Sequence, residues 1–395
     1  MRMMRGRGSV LLFALLVAVA AGYFTRPFVL GLSFVVRAAD LHGLVHSVAA
    51  IGTRGETEHA IDIPTDTGSI HGRLYWPDRE PRRVTLLVSG LHPAGIDEPR
   101  LVQLARQLAA SGMAVVTPDI PGLSTFEITP RLTDGIEATA RWMTTMPSVT
   151  AGDGRIGMIG ISFSGGLALV AAGRPEVRNK IAFVVSLGGH DDLPRVLRYL
   201  CTGAEPYPRQ QLGGQGQPFV RAPHDYGVAV ILLGVADRLV PGSQVDRLKA
   251  VVHEFLVASA LDSVNQDAAT REFMRLRELP KTLPEPSATL VRYMNERDVI
   301  HLGAKLLPYL GLYGGDPGLS VSHSPKPSAP VFLLHGLDDN VIPTIESEYL
   351  ADDLRGQASV RLLLSGLITH TTVDHQARTS DVFQLADFWG DVLSR

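Results

Sequence analysis

The chain has 395 residues, of which 45% are hydrophobic and 19% charged, and a formal net charge of -3 at pH 7. That length supports a large buried core, and the near balance of charge excludes a protein that grips nucleic acid or an acidic partner through a global field. A single cysteine, Cys201, excludes an internal disulfide and a multi-cysteine metal site.

Residues 1–25 carry an export-like pattern. Arg2, Arg5 and Arg7 precede the apolar run Ser9 to Phe24, and Ala18-Val19-Ala20 offers a cleavage site. The run is slightly short for a bilayer span, which needs roughly 17–25 residues. A second apolar stretch, PFVLGLSFVV, follows after Thr25 and Arg26 and favours a retained anchor over a cleaved signal. The positive-inside rule then places the rest of the chain outside the cytoplasm. Residues 26–57 read as a helical or linker segment.

From Glu58 the pattern changes to an αβ alternation. HAIDIPTDTGSIHGRLYWP alternates apolar and polar residues around Thr67-Gly68, the signature of a hairpin. RVTLLVSG, MAVVTPDIPG, RIGMIGIS and KIAFVVSLGG read as short apolar strands. Helical patterns separate them, including LVQLARQLAASG and TDGIEATARWMTTM. Strands apolar throughout, alternating with helices, predict a mostly parallel sheet buried on both faces, over 58–190. Residues 191–325 hold long helical patterns and few strand signals, and predict a helical insertion. The strand rhythm resumes over 326–395 with VFLLHG and VRLLLSG and closes on a helix, TSDVFQLADFWGDVLS.

The stretch Gly160-Ile161-Ser162-Phe163-Ser164-Gly165-Gly166 joins a strand to a helix. Small neighbours permit a sharp turn with Ser162 at its apex, its hydroxyl pushed outward. The Phe163 N–H and the helix N-terminus face any negative charge that develops there. Ser164 is the rival nucleophile, but it falls inside the helix and has Ser162, not glycine, two places before it. A phosphate loop is excluded, since neither G-x-x-x-x-G-K-[ST] nor G-x-G-x-x-G fits. A serine nucleophile needs a base and an orienting acid. Asp338 and Asp339 lie just beyond one late strand, and His370 a few residues beyond the next. Asp237, Asp191 and Asp192 are competing acids; His375 is a competing base. His335 reads as structural.

These motifs, in this order, resemble the α/β-hydrolases, and among them the dienelactone hydrolase and serine esterase/peptidase-like branch. The resemblance covers roughly residues 60–190 and 326–395. It implies a Ser-Asp-His triad, with H-G-x-x-D-x-x-V-P matched by His335 to Pro343 and the acid on Asp339. Ser164 replaces the second glycine of G-x-S-x-G. The second oxyanion donor then comes from the loop after VTLLVSG, where Pro93 has no N–H to give. By position it is the Leu91 N–H, paired with that of Phe163, with His92 the runner-up. The implied activity is hydrolysis of a carboxylic ester or lactone without metal or organic cofactor. Acyl transfer or peptide cleavage by the same triad, and a non-catalytic membrane-tethered binding protein, are the alternatives.

Overall fold

A computed structural model describes residues 25–39, 47, 49–204, 222–262, 264–368 and 379–395. The apolar run Ser9 to Phe24, with its cleavage site, lies outside the described residues. No helix among those described is long and apolar enough to cross a membrane.

One eight-stranded sheet, in the order β1-β2-β4-β3-β5-β6-β7-β8, organises the chain. The strands are β1 Glu56–Thr65, β2 Gly68–Pro77, β3 Arg83–Val88, β4 Met113–Pro118, β5 Ile156–Ile161, β6 Ile181–Leu187, β7 Val331–Gly336 and β8 Val360–Ser365. β1 and β2 form the expected hairpin, closed by Thr65 opposite Gly68. β2 meets β4 antiparallel; from β4 to β8 every pairing is parallel. All six residues of β4 and all six of β7 are buried, as a sheet covered on both faces requires.

The faces are divided by the period of two along each strand. Leu87, Val115, Ile159, Val185 and Leu334 point to one side, into a core shared with three helices: α1 over 25–38, α2 Pro99–Ala110 and α12 Thr379–Leu393. Their neighbours Leu86, Val116, Met158, Val184 and Leu333 point to the other. There they meet α3 Arg131–Met143, α4 Phe163–Gly173 and α11 Ile345–Leu354.

The insertion is helical: α5 Leu193–Thr202, α6 Asp225–Leu239, α7 Gly242–Asp262, α8 Gln266–Glu278, α9 Ser287–Asn295 and α10 Val299–Leu306, with shorter turns between and after them. Its apolar side chains, such as Leu197, Ile231 and Phe255, continue the second core without a break, so it forms a cap packed on that side of the sheet.

The stretch PFVLGLSFVV, expected to extend an anchor, lies within α1. Val29 is exposed, but other apolar residues pack on protein: Phe34 tilts against Trp389 at 4.5 Å between ring centroids, and Phe28 stacks on Phe383 at 5.4 Å. A Cβ at Gly31 would stand 1.8 Å from the Ala386 carbonyl oxygen, so the two helices touch backbone to backbone. Arg37 is 4% exposed, hydrogen bonded to Gln107 and Ser111 of the neighbouring segment, and desolvation lowers its pKa to about 10.

Candidate active site

The parallel register brings the predicted motifs to one edge. Val88 pairs with Gly160, Ile161 with Leu187, Leu187 with Leu334, and Gly336 with Ser365. The loops after β3, β5, β7 and β8 therefore leave the sheet side by side, as loops at the C-terminal ends of parallel strands do.

Ser162 sits between β5 and α4 with φ 54° and ψ -128°, in a region L-residues rarely occupy. The strain is held by bonds on both sides: the Ser162 N–H donates to the Leu187 carbonyl at 2.6 Å, and the Gly165 N–H donates to the Ser162 carbonyl at 2.8 Å. The turn is so tight that a Cβ at Gly160 would lie 2.2 Å from the Ser164 carbonyl oxygen. Phe163 is the first residue of α4, which places its N–H among the unpaired donors of a helix start. Ser164 is fully buried, with no hydrogen-bond partner for Oγ among the described residues.

Gly90 lies against the nucleophile. A Cβ there would stand 3.3 Å from Ser162 Cβ and 3.9 Å from its Oγ, so the loop carrying Leu91 and His92 passes beside the hydroxyl. The His92 side chain turns back on its own loop, with Nδ1 accepting from the Ala94 N–H at 3.2 Å; burial lowers its pKa.

Asp339 follows β7, is 1% exposed and uses Oδ1 to accept from the Val341 and Ile342 N–H groups at 2.9 and 3.0 Å. Those two donors fix the carboxylate in one orientation. Asp338, its neighbour, is exposed. His335 is buried beneath this loop: Nδ1 is 2.6 Å from Ser347 Oγ, and Nε2 is 3.0 Å from the Ile342 carbonyl and 3.3 Å from Asp339 Oδ2. A carbonyl can only accept, so Nε2 carries a proton. His335 is thus a brace for the acid loop. His370 and His375 lie outside the described residues.

The competing acids are committed elsewhere. Asp237 is half exposed at the end of α6 and pairs with Arg238 at 3.2 Å. Asp191 pairs with Arg195 at 3.1 Å, and Asp192 caps α5 through the Arg195 N–H. Two residues that the sequence offered no signal for stand close to the site. The His190 ring stacks on Phe163, 5.2 Å between centroids and 9° from parallel. Tyr226, in the cap, donates from its hydroxyl to the Leu91 carbonyl at 2.9 Å. Both contacts join segments remote in sequence, and no local pattern marks them.

A cavity of about 750 Å³ lies between the loop 125–130 and the cap, walled by Phe126, Leu233, Lys249, His253 and Tyr313. Ser162, Leu91 and Asp339 are not among its lining residues. Ser162, Asp339 and the loop carrying Leu91 follow neighbouring strands at one sheet edge, and that is where the candidate site lies. Among the described residues, no cluster of three or more His, Cys, Asp or Glu side chains is placed to hold a metal.

No family model matches this sequence, and no curated protein matches it either. Similar solved structures include a dienelactone hydrolase from Anabaena variabilis, 16% identical, covering 85% of this chain and 96% of that one, with a TM-score of 0.41. An esterase from Pyrobaculum calidifontis is 16% identical, covering 88% of this chain and 89% of its own, with a TM-score of 0.43. A thermostable carboxylesterase cloned from a metagenomic library is 15% identical, covering 88% and 91%, with a TM-score of 0.44. These likenesses are distant, and the fold assignment rests on the molecule's own connectivity. A parallel sheet entered through an antiparallel hairpin, a serine at a strained turn from β5 into α4, and an acid loop after β7 identify the α/β-hydrolase fold.

Proposed function

We propose that the protein is a serine hydrolase that cleaves a carboxylic ester or lactone through an acyl-enzyme on Ser162. The observation that carries this reading is the strained Ser162 backbone, φ 54°, at a turn where Gly90 brings a second loop against the hydroxyl. Strain of this kind persists only where surrounding structure over-determines it, and it concentrates at working sites.

In this reading His370 takes the Ser162 proton as the oxygen attacks the carbonyl carbon. Asp339, its carboxylate fixed by two N–H donors, holds the imidazole tautomer and stabilises the imidazolium. The Phe163 and Leu91 N–H groups receive the oxyanion; a lost donor of this type costs on the order of 10²–10³ in rate. The histidine proton then passes to the leaving oxygen. Water, deprotonated by the same histidine, releases the acid or hydroxy acid. The cap closes one side of the site and shapes the acceptor pocket. The run Ser9 to Phe24 tethers the chain to a membrane, or exports it, with the hydrolase domain outside the cytoplasm.

The test is labelling with a fluorophosphonate, with wild type beside Ser162→Ala and Ser164→Ala. Labelling of wild type and Ser164→Ala, with none in Ser162→Ala, is the expected result, along with a loss of at least about 10³-fold in aryl-ester hydrolysis for Ser162→Ala. A folded wild type that takes no label would sink the serine reading.

A further inference from the structure

We propose that Tyr226, contributed by the cap, is a positioning residue that holds the oxyanion loop in its working geometry. The inference rests on the reading of Ser162 as nucleophile and adds a role for the insertion within it. The first turn of α6 reaches two loops of the site at once. The His224 N–H donates to the carbonyl of Asn340, next to Asp339, at 2.9 Å, and Tyr226 Oη donates to the Leu91 carbonyl at 2.9 Å. The cap is therefore bolted to the acid loop and to the oxyanion loop through consecutive parts of one helix.

The second of these bonds acts on the donors themselves. The Leu91 carbonyl belongs to the peptide that carries the His92 N–H, and its plane sets the torsions on either side. Leu91 and His92 are the two candidate donors, and among the described residues neither N–H has an acceptor. The loop is unevenly stiff. Pro93 restricts His92 to extended backbone, whereas Gly90 imposes no side-chain restraint. The Leu91–His92 peptide between them is restrained by Tyr226.

Tyr226 is itself held. Phe126 meets its ring edge-on at 5.8 Å and His224 at 6.4 Å. Phe126 is fully buried at φ 61°, a second strained residue that stands directly behind the Tyr226 ring. Burial raises the Tyr226 pKa, so its hydroxyl stays a proton donor throughout the working pH range.

The experiment compares wild type, Tyr226→Phe and Phe126→Leu on a short-chain aryl ester, with the melting temperature of each. Tyr226→Phe keeps the ring and removes one hydroxyl. We expect kcat about tenfold lower, less than the loss of a whole donor, with KM within twofold. Affinity for a trifluoromethyl ketone, which forms a tetrahedral oxyanion on the serine, falls by the same factor as kcat. Phe126→Leu, which loosens the ring but keeps the hydroxyl, falls in the same direction by two- to threefold. Unchanged kcat and ketone affinity in Tyr226→Phe overturn the inference while leaving the serine reading intact. So does a fall in melting temperature or a rise in KM with kcat preserved, since either marks a merely structural contact. A wild type that takes no fluorophosphonate overturns the serine reading and this inference with it.

Discussion

Two buried aspartates follow adjacent strands of the sheet, Asp191 after β6 and Asp339 after β7, and their surroundings differ in kind. Asp339 receives two backbone N–H groups on one oxygen and lies over a histidine whose own partners are fixed. Asp191 has Arg195 on one oxygen, and its Oδ1 is buried with no hydrogen-bond partner among the described residues. Burial, reinforced by the charge of Asp353, raises its pKa to about 7 against the pull of Arg195. Beside it, fully buried Glu346 accepts from the Asp191 and Asp192 N–H groups and from Arg195 at 2.6 and 2.9 Å, while Arg195 lies 4.0 Å over the Tyr349 ring. One acid loop presents a carboxylate in a set direction. The other uses its carboxylates to knit the base of the cap to α11. Burial and position after a strand are shared; what separates the two is the kind of partner, neutral backbone N–H groups and an imidazole around Asp339 and a guanidinium with neighbouring carboxylates around Asp191.

The comparison breaks most readily on activity. Asp339→Asn is expected to lower kcat by about 10³–10⁴-fold with the fold retained, because an amide favours the wrong imidazole tautomer. Asp191→Asn in the same assay is expected to cost less than threefold; equal losses would erase the distinction. On stability the order reverses. Glu346→Ala leaves Arg195 with a single buried partner and is expected to cost about 3 kcal/mol in denaturant unfolding, the range for breaking a buried pair. Ester hydrolysis by the protein that remains folded should be little changed. The smallest effect is in pH. A carboxylate whose folded pKa lies above its unfolded value contributes stability at low pH and loses it as pH rises toward about 7. Wild type should therefore lose melting temperature relative to Asp191→Asn between about pH 4 and pH 7. A parallel pair of curves would show that Arg195 keeps Asp191 ionised throughout.

Much of the fold was legible because its signals are local. Apolar strands, glycines at the elbow and the hairpin at Thr65–Gly68 each declare themselves within ten residues. The candidate site was legible as a set of loops, since parallel strands deliver their ends to one edge whatever lies between them. Tyr226, His190 and Glu346 were not, because each acts across the join between the insertion and the sheet or between two strand-end loops. The stretch 27–36 shows a different limit. Hydropathy records that a helix needs an apolar partner and says nothing of whether that partner is lipid or, as at Gly31 and Gly390, another helix.

That helix pair also sets an order of events during synthesis. α1 is made early, yet the surface it docks against, Ala386, Trp389 and Gly390, leaves the ribosome only after every strand of the sheet. Until then Phe28 and Phe34 have no native mate in α12. While the strands between the two helices are being made, the apolar face of α1 is covered only in part, by the segment around Gln107 and Ser111. Losing α12 would uncover Phe28, Gly31 and Phe34 of α1 along with it, so damage in the last helix of the domain would be felt in the first.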